Sequence, residues 1–141
     1  MFTYKAKVDR IIDGDSIVLN IDLGFNTWLN KQHIRLHGID TPEIRTRDLV
    51  EKQQGNLAKA RVEELIKVGD SVIIKSILDK YEKFGRILGI IELQNGINLN
   101  QLLIEEFLAV PYYGQSKDEI KKQHLENRQI LISEGKMNST V

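Results

Sequence analysis

The sequence predicts an α+β protein, a small closed five-stranded β-barrel with three helices, and three observations point there. The N-terminal third is rich in β-branched residues arranged with a period of two. Apolar residues then recur at helical spacing from Leu57 onward, between the third and fourth strand-like segments. At 141 residues the chain is long enough for one core but short for two.

Taken in order, Lys7 to Ile12 and Ile17 to Leu23 read as the first two strands. D-G-D (Asp13 to Asp15) forms the turn between them. Gly24 to Lys31 reads as a loop carrying the single Trp, Trp28. Ile34 and Leu36 alternate with Arg35 and His37, which gives a third strand ending near Gly38. Arg45 to Lys52 has no apolar period and reads as a loop. In the helix that follows, Leu57, Ala58, Arg61, Val62, Leu65 and Ile66 make one stripe, and Gly69 lies at its end. Ser71 to Leu78 and Ile87 to Leu93 read as strands joined by the charged segment Asp79 to Arg86. Leu99, Leu102, Leu103 and Phe107 mark a second helix. Ser116-Lys117-Asp118-Glu119 fits a capping box opening a third, to about Ser133. Five strands with a helix inserted after the third match the OB-fold, a five-stranded Greek-key barrel. The expected organisation is one domain over 1–134 and a polar tail over 135–141.

Composition excludes several function classes. The absence of Cys removes disulfide frameworks and thiolate metal sites. No apolar run is long enough to span a bilayer. The N-terminus lacks the apolar stretch of a secretory signal, so a cytoplasmic location is expected; a leader already removed is the other reading. Formal net charge is +0, with 20 basic and 20 acidic residues, which argues against tight nonspecific duplex binding. A local grip on one or two phosphates is compatible with that balance.

The acids next to turns carry the chemical signal. Asp15 ends one turn and Asp40 ends the third strand, and Pro42 biases Thr41 toward an extended conformation that exposes its carbonyl. Two carboxylates and a carbonyl are hard oxygen ligands that suit Ca²⁺ or Mg²⁺ rather than Zn²⁺. Taken alone, D-G-D-S reads more simply as a turn. Arg35 and Arg86 taken singly read as solvated arginines. Together with a carboxylate-bound cation they make a phosphate site, because guanidinium forks match phosphate oxygens bidentately. Glu43 is then placed to orient or deprotonate an attacking water.

The ordered set D-G-D-S, R-L-H-G-I-D-T-P-E, K-F-G-R and A-V-P-Y-Y strongly resembles the staphylococcal nuclease (thermonuclease-like) family. The resemblance runs from about Val8 to about Leu125 and includes Gly55 to Ala58 and Gln123 to Leu125. It implies an OB-fold barrel with three helices and a Ca²⁺-dependent phosphodiesterase acting on DNA and RNA, with single strands preferred. Cleavage would break the bond to the 5′ oxygen and leave 3′-phosphate ends. By resemblance, Asp15, Asp40 and the Thr41 carbonyl match the Ca²⁺ ligands, and Glu43 matches the residue that addresses the water. Arg35 and Arg86 match the phosphate-binding arginines, and Asp13 a supporting acid behind the ligands. Lys83, Phe84, Tyr112 and Tyr113 fall in the nucleotide-binding set. Phe84 stands where the type enzyme has Tyr, and Tyr112 and Tyr113 are adjacent rather than separated by one residue. Ser16 replaces the more usual Thr and keeps the hydroxyl.

His33, His37 and His124 are not spaced as a metal set and read as strand or helix-face residues. No membrane or obligate protein partner is implied. The rival reading is a catalytically inactive nuclease-like module that binds nucleic acid. Such copies lose the acids or the arginines, and this chain keeps both. A plain OB-fold single-strand binder would carry more exposed aromatic and basic residues.

Overall fold

In the computed structural model, which describes residues 2–77 and 85–138, ten elements follow one another. They are β1 (Thr3–Asp13), β2 (Ser16–Asp22), β3 (Trp28–Leu36), β4 (Ile39–Asp40), α1 (Leu49–Leu65), β5 (Ser71–Ser76), β6 (Ile87–Glu92), α2 (Leu99–Glu105), β7 (Val110–Pro111) and α3 (Lys117–Ser133). Five strands close a barrel in the order β1-β2-β3-β6-β5, and β4 pairs with β7 as a separate two-stranded ribbon. All barrel pairings are antiparallel except β3 with β6. The predicted five-stranded OB-type barrel with three helices is the architecture found.

The period-two pattern of β2 explains its place in the barrel. Ile17, Leu19 and Ile21 point inward and are at most 4% exposed, alongside Ile34 and Leu36 from β3 and Ile74 and Ile91 from β5 and β6. Each such aliphatic side chain contributes about 1.5–3 kcal/mol when fully buried. Register shifts in the β1–β2 ladder, between Val8 and Arg10 and between Ile11 and Asp13, mark bulges. Bulges bend a strand and strengthen its twist, which suits a closing barrel.

Several boundaries differ from the sequence reading. β3 begins at Trp28, so the loop expected over Gly24 to Lys31 shrinks to a tight turn in which Phe25 and Asn26 take positive φ. α1 begins at Leu49, inside the segment read as loop to Lys52. Its start is set by Asp48, whose carboxylate accepts the Val50 and Glu51 amides at 3.0 and 3.1 Å. The apolar stripe starts only later in the helix, so the cap rather than periodicity marks its N-terminus. Met137 is 5% exposed, so core packing continues past α3. The Asp79–Arg86 segment lies largely outside the described residues.

Small residues let the helix approach the turns. Gly55 and Ala58, three positions apart, share one face of α1. A Cβ at Gly55 would lie 2.6 Å from the Pro42 carbonyl oxygen, and one at Gly14 would lie 2.7 Å from the Ala58 Cβ. The D-G-D turn and the Thr41–Glu43 segment therefore both lean on the same helical turn.

Candidate active site

Three neighbouring elements bring the predicted acids together. Ser16 on β2 pairs with Arg35 on β3, and the Leu36 amide donates to the Asp15 carbonyl at 2.8 Å. This places the end of the D-G-D turn beside the end of β3. Gly38, at φ +79°, then turns the chain into β4, which ends on Asp40. Asn100 braces this corner: its amide donates to the His37 and Gly89 carbonyls at 2.9 and 3.1 Å.

Arg35 lies between the two acids. One guanidinium nitrogen is 3.1 Å from Asp15 Oδ2 and the other 3.5 Å from Asp40 Oδ1. Its side chain is 15% exposed and that of Asp15 only 12%, so the pair is held largely away from water. Asp15 also accepts the Thr41 amide at 3.1 Å and lies 3.4 Å from the Ser16 hydroxyl. The contact seen between Thr41 and Asp15 thus runs through the Thr41 N–H. Asp40 is fixed from its other side by His124 on α3, whose Nε2 is 2.7 Å from Oδ2. His124 is held in turn by Gln54, a buried residue of α1 that donates to the His124 carbonyl at 2.9 Å. Arg128 donates to Gln54 Oε1 at 3.0 Å.

Glu43, Arg86, Asp13 and Ser16 line one cleft of about 290 Å³, together with His33 and Arg45. Partial burial, followed by repulsion from Asp15 and Asp40, raises the Glu43 carboxyl above its usual range. Asp13 is pushed up to about 7, first by burial and then by the neighbouring Asp15 carboxyl. A second cleft, of about 310 Å³, has Arg35, His37, Tyr112 and Tyr113 along its walls. Both tyrosines are exposed. The Tyr112 amide donates to the Gly38 carbonyl at 2.8 Å, which fixes this end of the chain to the corner that carries Asp40.

Of the expected site residues, Asp13, Asp15, Arg35, Asp40, Thr41, Glu43 and Arg86 gather at one end of the barrel, and Tyr112 and Tyr113 flank it. Lys83 and Phe84 lie outside the described residues. His124 is the residue that sequence reading underused. Its place in Q-H-L was noted, but nothing local in the sequence ties it to Asp40 across 84 positions. Among the described residues, no three His, Asp or Glu side chains cluster tightly enough to hold a metal ion. The donor set is two carboxylates converging on one guanidinium, with main-chain oxygen nearby; that chemistry fits a hard divalent cation.

A family model described as staphylococcal nuclease homologue matches residues 33–138. The chain belongs to this nuclease family. The match begins at His33, so Asp13 and Asp15 join the family's segment through the β2–β3 ladder. Among curated relatives, endonuclease YhcR of Bacillus subtilis is 29% identical over 115 residues. That alignment covers 78% of this chain but only 9% of YhcR. The uncharacterized protein MJ1439 of Methanocaldococcus jannaschii is also 29% identical, with 89% of this chain and 70% of that protein covered. Among the described residues, no helix is long and apolar enough to cross a membrane.

Proposed function

We propose that this nuclease-family domain hydrolyses phosphodiester bonds of DNA and RNA with Ca²⁺. The carrying observation is that Asp15 and Asp40, from separate elements, meet at one arginine, with Glu43 and Arg86 sharing the adjoining cleft. Asp15, Asp40 and the Thr41 carbonyl would hold the cation, which when bound supplies positive charge to a phosphate and lowers the cost of charge built up there. Arg35 and Arg86 would grip the phosphate oxygens with planar forks, a geometry that a lysine does not reproduce. Glu43 would orient or deprotonate the attacking water, a role supported by its sharing one cleft with Arg86. Asp13 supports the turn from behind, its carboxylate accepting the Asp15 amide at 3.3 Å. His124 fixes the Asp40 rotamer through its 2.7 Å contact. The 5′ P–O bond breaks, leaving 3′-phosphate ends. The relative named an endonuclease supports nucleic acid as the substrate, and a cytoplasmic location remains part of the proposal.

The test is digestion of a labelled single-stranded oligonucleotide in Ca²⁺ and in excess chelator, with the new ends identified by phosphatase treatment. Cleavage in Ca²⁺ alone, with phosphatase-sensitive 3′ ends, is expected. Cleavage that survives chelator removes the metal from the reading. A folded sample that binds the oligonucleotide in Ca²⁺ without cutting it establishes the inactive binding module instead.

A further inference from the structure

The cleft holding Glu43 and Arg86 contains two side chains that the proposed chemistry does not use, His33 and Arg45. Both are exposed. His33 lies two residues before Arg35 on β3, and His37 two residues after it. Ile34 and Leu36, which alternate with them, are at most 1% exposed and face the barrel interior. His33 and Arg35 therefore share the outer face of β3, roughly 6–7 Å apart. His37 follows just past the end of the strand, where the chain turns, and its amide donates to the Gly89 carbonyl at 2.8 Å. His33 opens into the cleft with Arg45, whereas Arg35 and His37 open into the cleft with Tyr112 and Tyr113. The two clefts thus open near one strand, and Arg35, which pairs with Asp15 and Asp40, lies between His33 and His37 along the chain.

Resting on the nuclease reading above, we propose that the His33–Arg45 wall of this cleft is a second nucleotide subsite. A single-stranded polynucleotide would run along the outer face of β3, its scissile phosphate between Arg35 and the Glu43–Arg86 part of the cleft and the neighbouring phosphate at Arg45 and His33. Steps of that size along an extended β-strand match the repeat of an extended single strand, whereas a duplex would have to lay a groove over a barrel face that offers few cations. A guanidinium and an imidazole N–H are both phosphate donors. The substrate that follows is a single strand with nucleotides on both sides of the cleaved bond.

The experiment compares wild-type protein, Arg45→Gln and Arg47→Gln. Arg47 is also exposed and stands two residues further on, but it does not line the cleft. Binding of fluorescent oligothymidylates, dinucleotide and hexamer, is read by anisotropy in chelator across a salt series, and KM and kcat are read in Ca²⁺. Arg45→Gln is expected to weaken hexamer binding on the order of fivefold, the upper end for one exposed charge contact. Its log–log salt slope should become shallower by about 0.7, one phosphate contact on a single strand. The loss should appear in hexamer KM far more than in kcat, and the dinucleotide should be much less affected. An equal loss in Arg47→Gln, an unchanged salt slope in Arg45→Gln, or equal losses for both lengths overturns the subsite. If the wild type cuts the hexamer while any of these holds, only the subsite falls. If it neither binds nor cuts, the nuclease reading falls and takes the subsite with it.

Discussion

The two ends of the barrel differ in kind. At one end, clefts of about 290 and 310 Å³ are lined by Asp13, Glu43, Arg45 and Arg86 and by Arg35, and Arg35 pairs with Asp15 and Asp40 beside them. At the other end, Lys5, Ala6, Trp28, Val72 and Leu93 line a larger cavity of about 530 Å³. The larger space collects apolar wall, lysines and the acids Asp22 and Glu92, and among the described residues no pair of carboxylates there shares one cation. Volume is therefore a poor guide to function in this fold. The informative feature is convergence: Asp15 and Asp40, from separate elements, meet at one guanidinium.

Glu43→Gln breaks this contrast most severely. It should lower kcat on the order of a thousandfold while single-strand binding and the melting temperature stay near wild type, measured by single-turnover cleavage and thermal unfolding. Unchanged turnover would take Glu43 out of the reaction. Arg35→Lys keeps the charge between the acids but loses the fork, and cleavage should fall on the order of a hundredfold. At the far end the pattern inverts. Trp28→Ala should cost about 1 kcal/mol in denaturant unfolding, and kcat/KM should stay within about a factor of two because the site is remote. A large activity loss there would mean the two ends are coupled.

The smallest effect concerns the entry to α1. The amides of Glu51 and Val50 hold the Asp48 carboxyl below its usual range, with the Glu51 amide the larger influence. A depressed carboxyl stabilises the helix start above its unfolded value and loses that contribution as pH falls through the folded one. Hydrogen exchange of the first-turn amides should therefore quicken on acidification before the barrel amides respond, and Asp48→Asn should remove most of that pH dependence.

The barrel was legible because its strands follow the period-two rule: Ile17, Leu19 and Ile21 point one way and say so in sequence. The acids and arginines were legible as an ordered set, each beside turn residues that fix the local bend. The α1 boundary was not, since Asp48 caps the helix nine residues before Leu57, where its apolar stripe was read. The two-residue ladder of β4 with β7 was equally silent, because so short a strand shows no periodicity at all. The His124–Asp40 contact was hidden for a different reason. It is a product of how α3 docks, and docking is specified by packing spread over Gln54, Arg128 and the core rather than by any local run.

That same contact and the β4–β7 ladder have a consequence for biosynthesis. Every acid and arginine of the proposed site has been synthesised by Arg86, yet two of the contacts that hold Asp40 lie further along the chain. Val110 pairs with it, and His124 grips it, only once those later residues have been made. A nascent or C-terminally clipped chain would thus carry the proposed site residues without the β4–β7 ladder and the His124 contact that hold Asp40 in place.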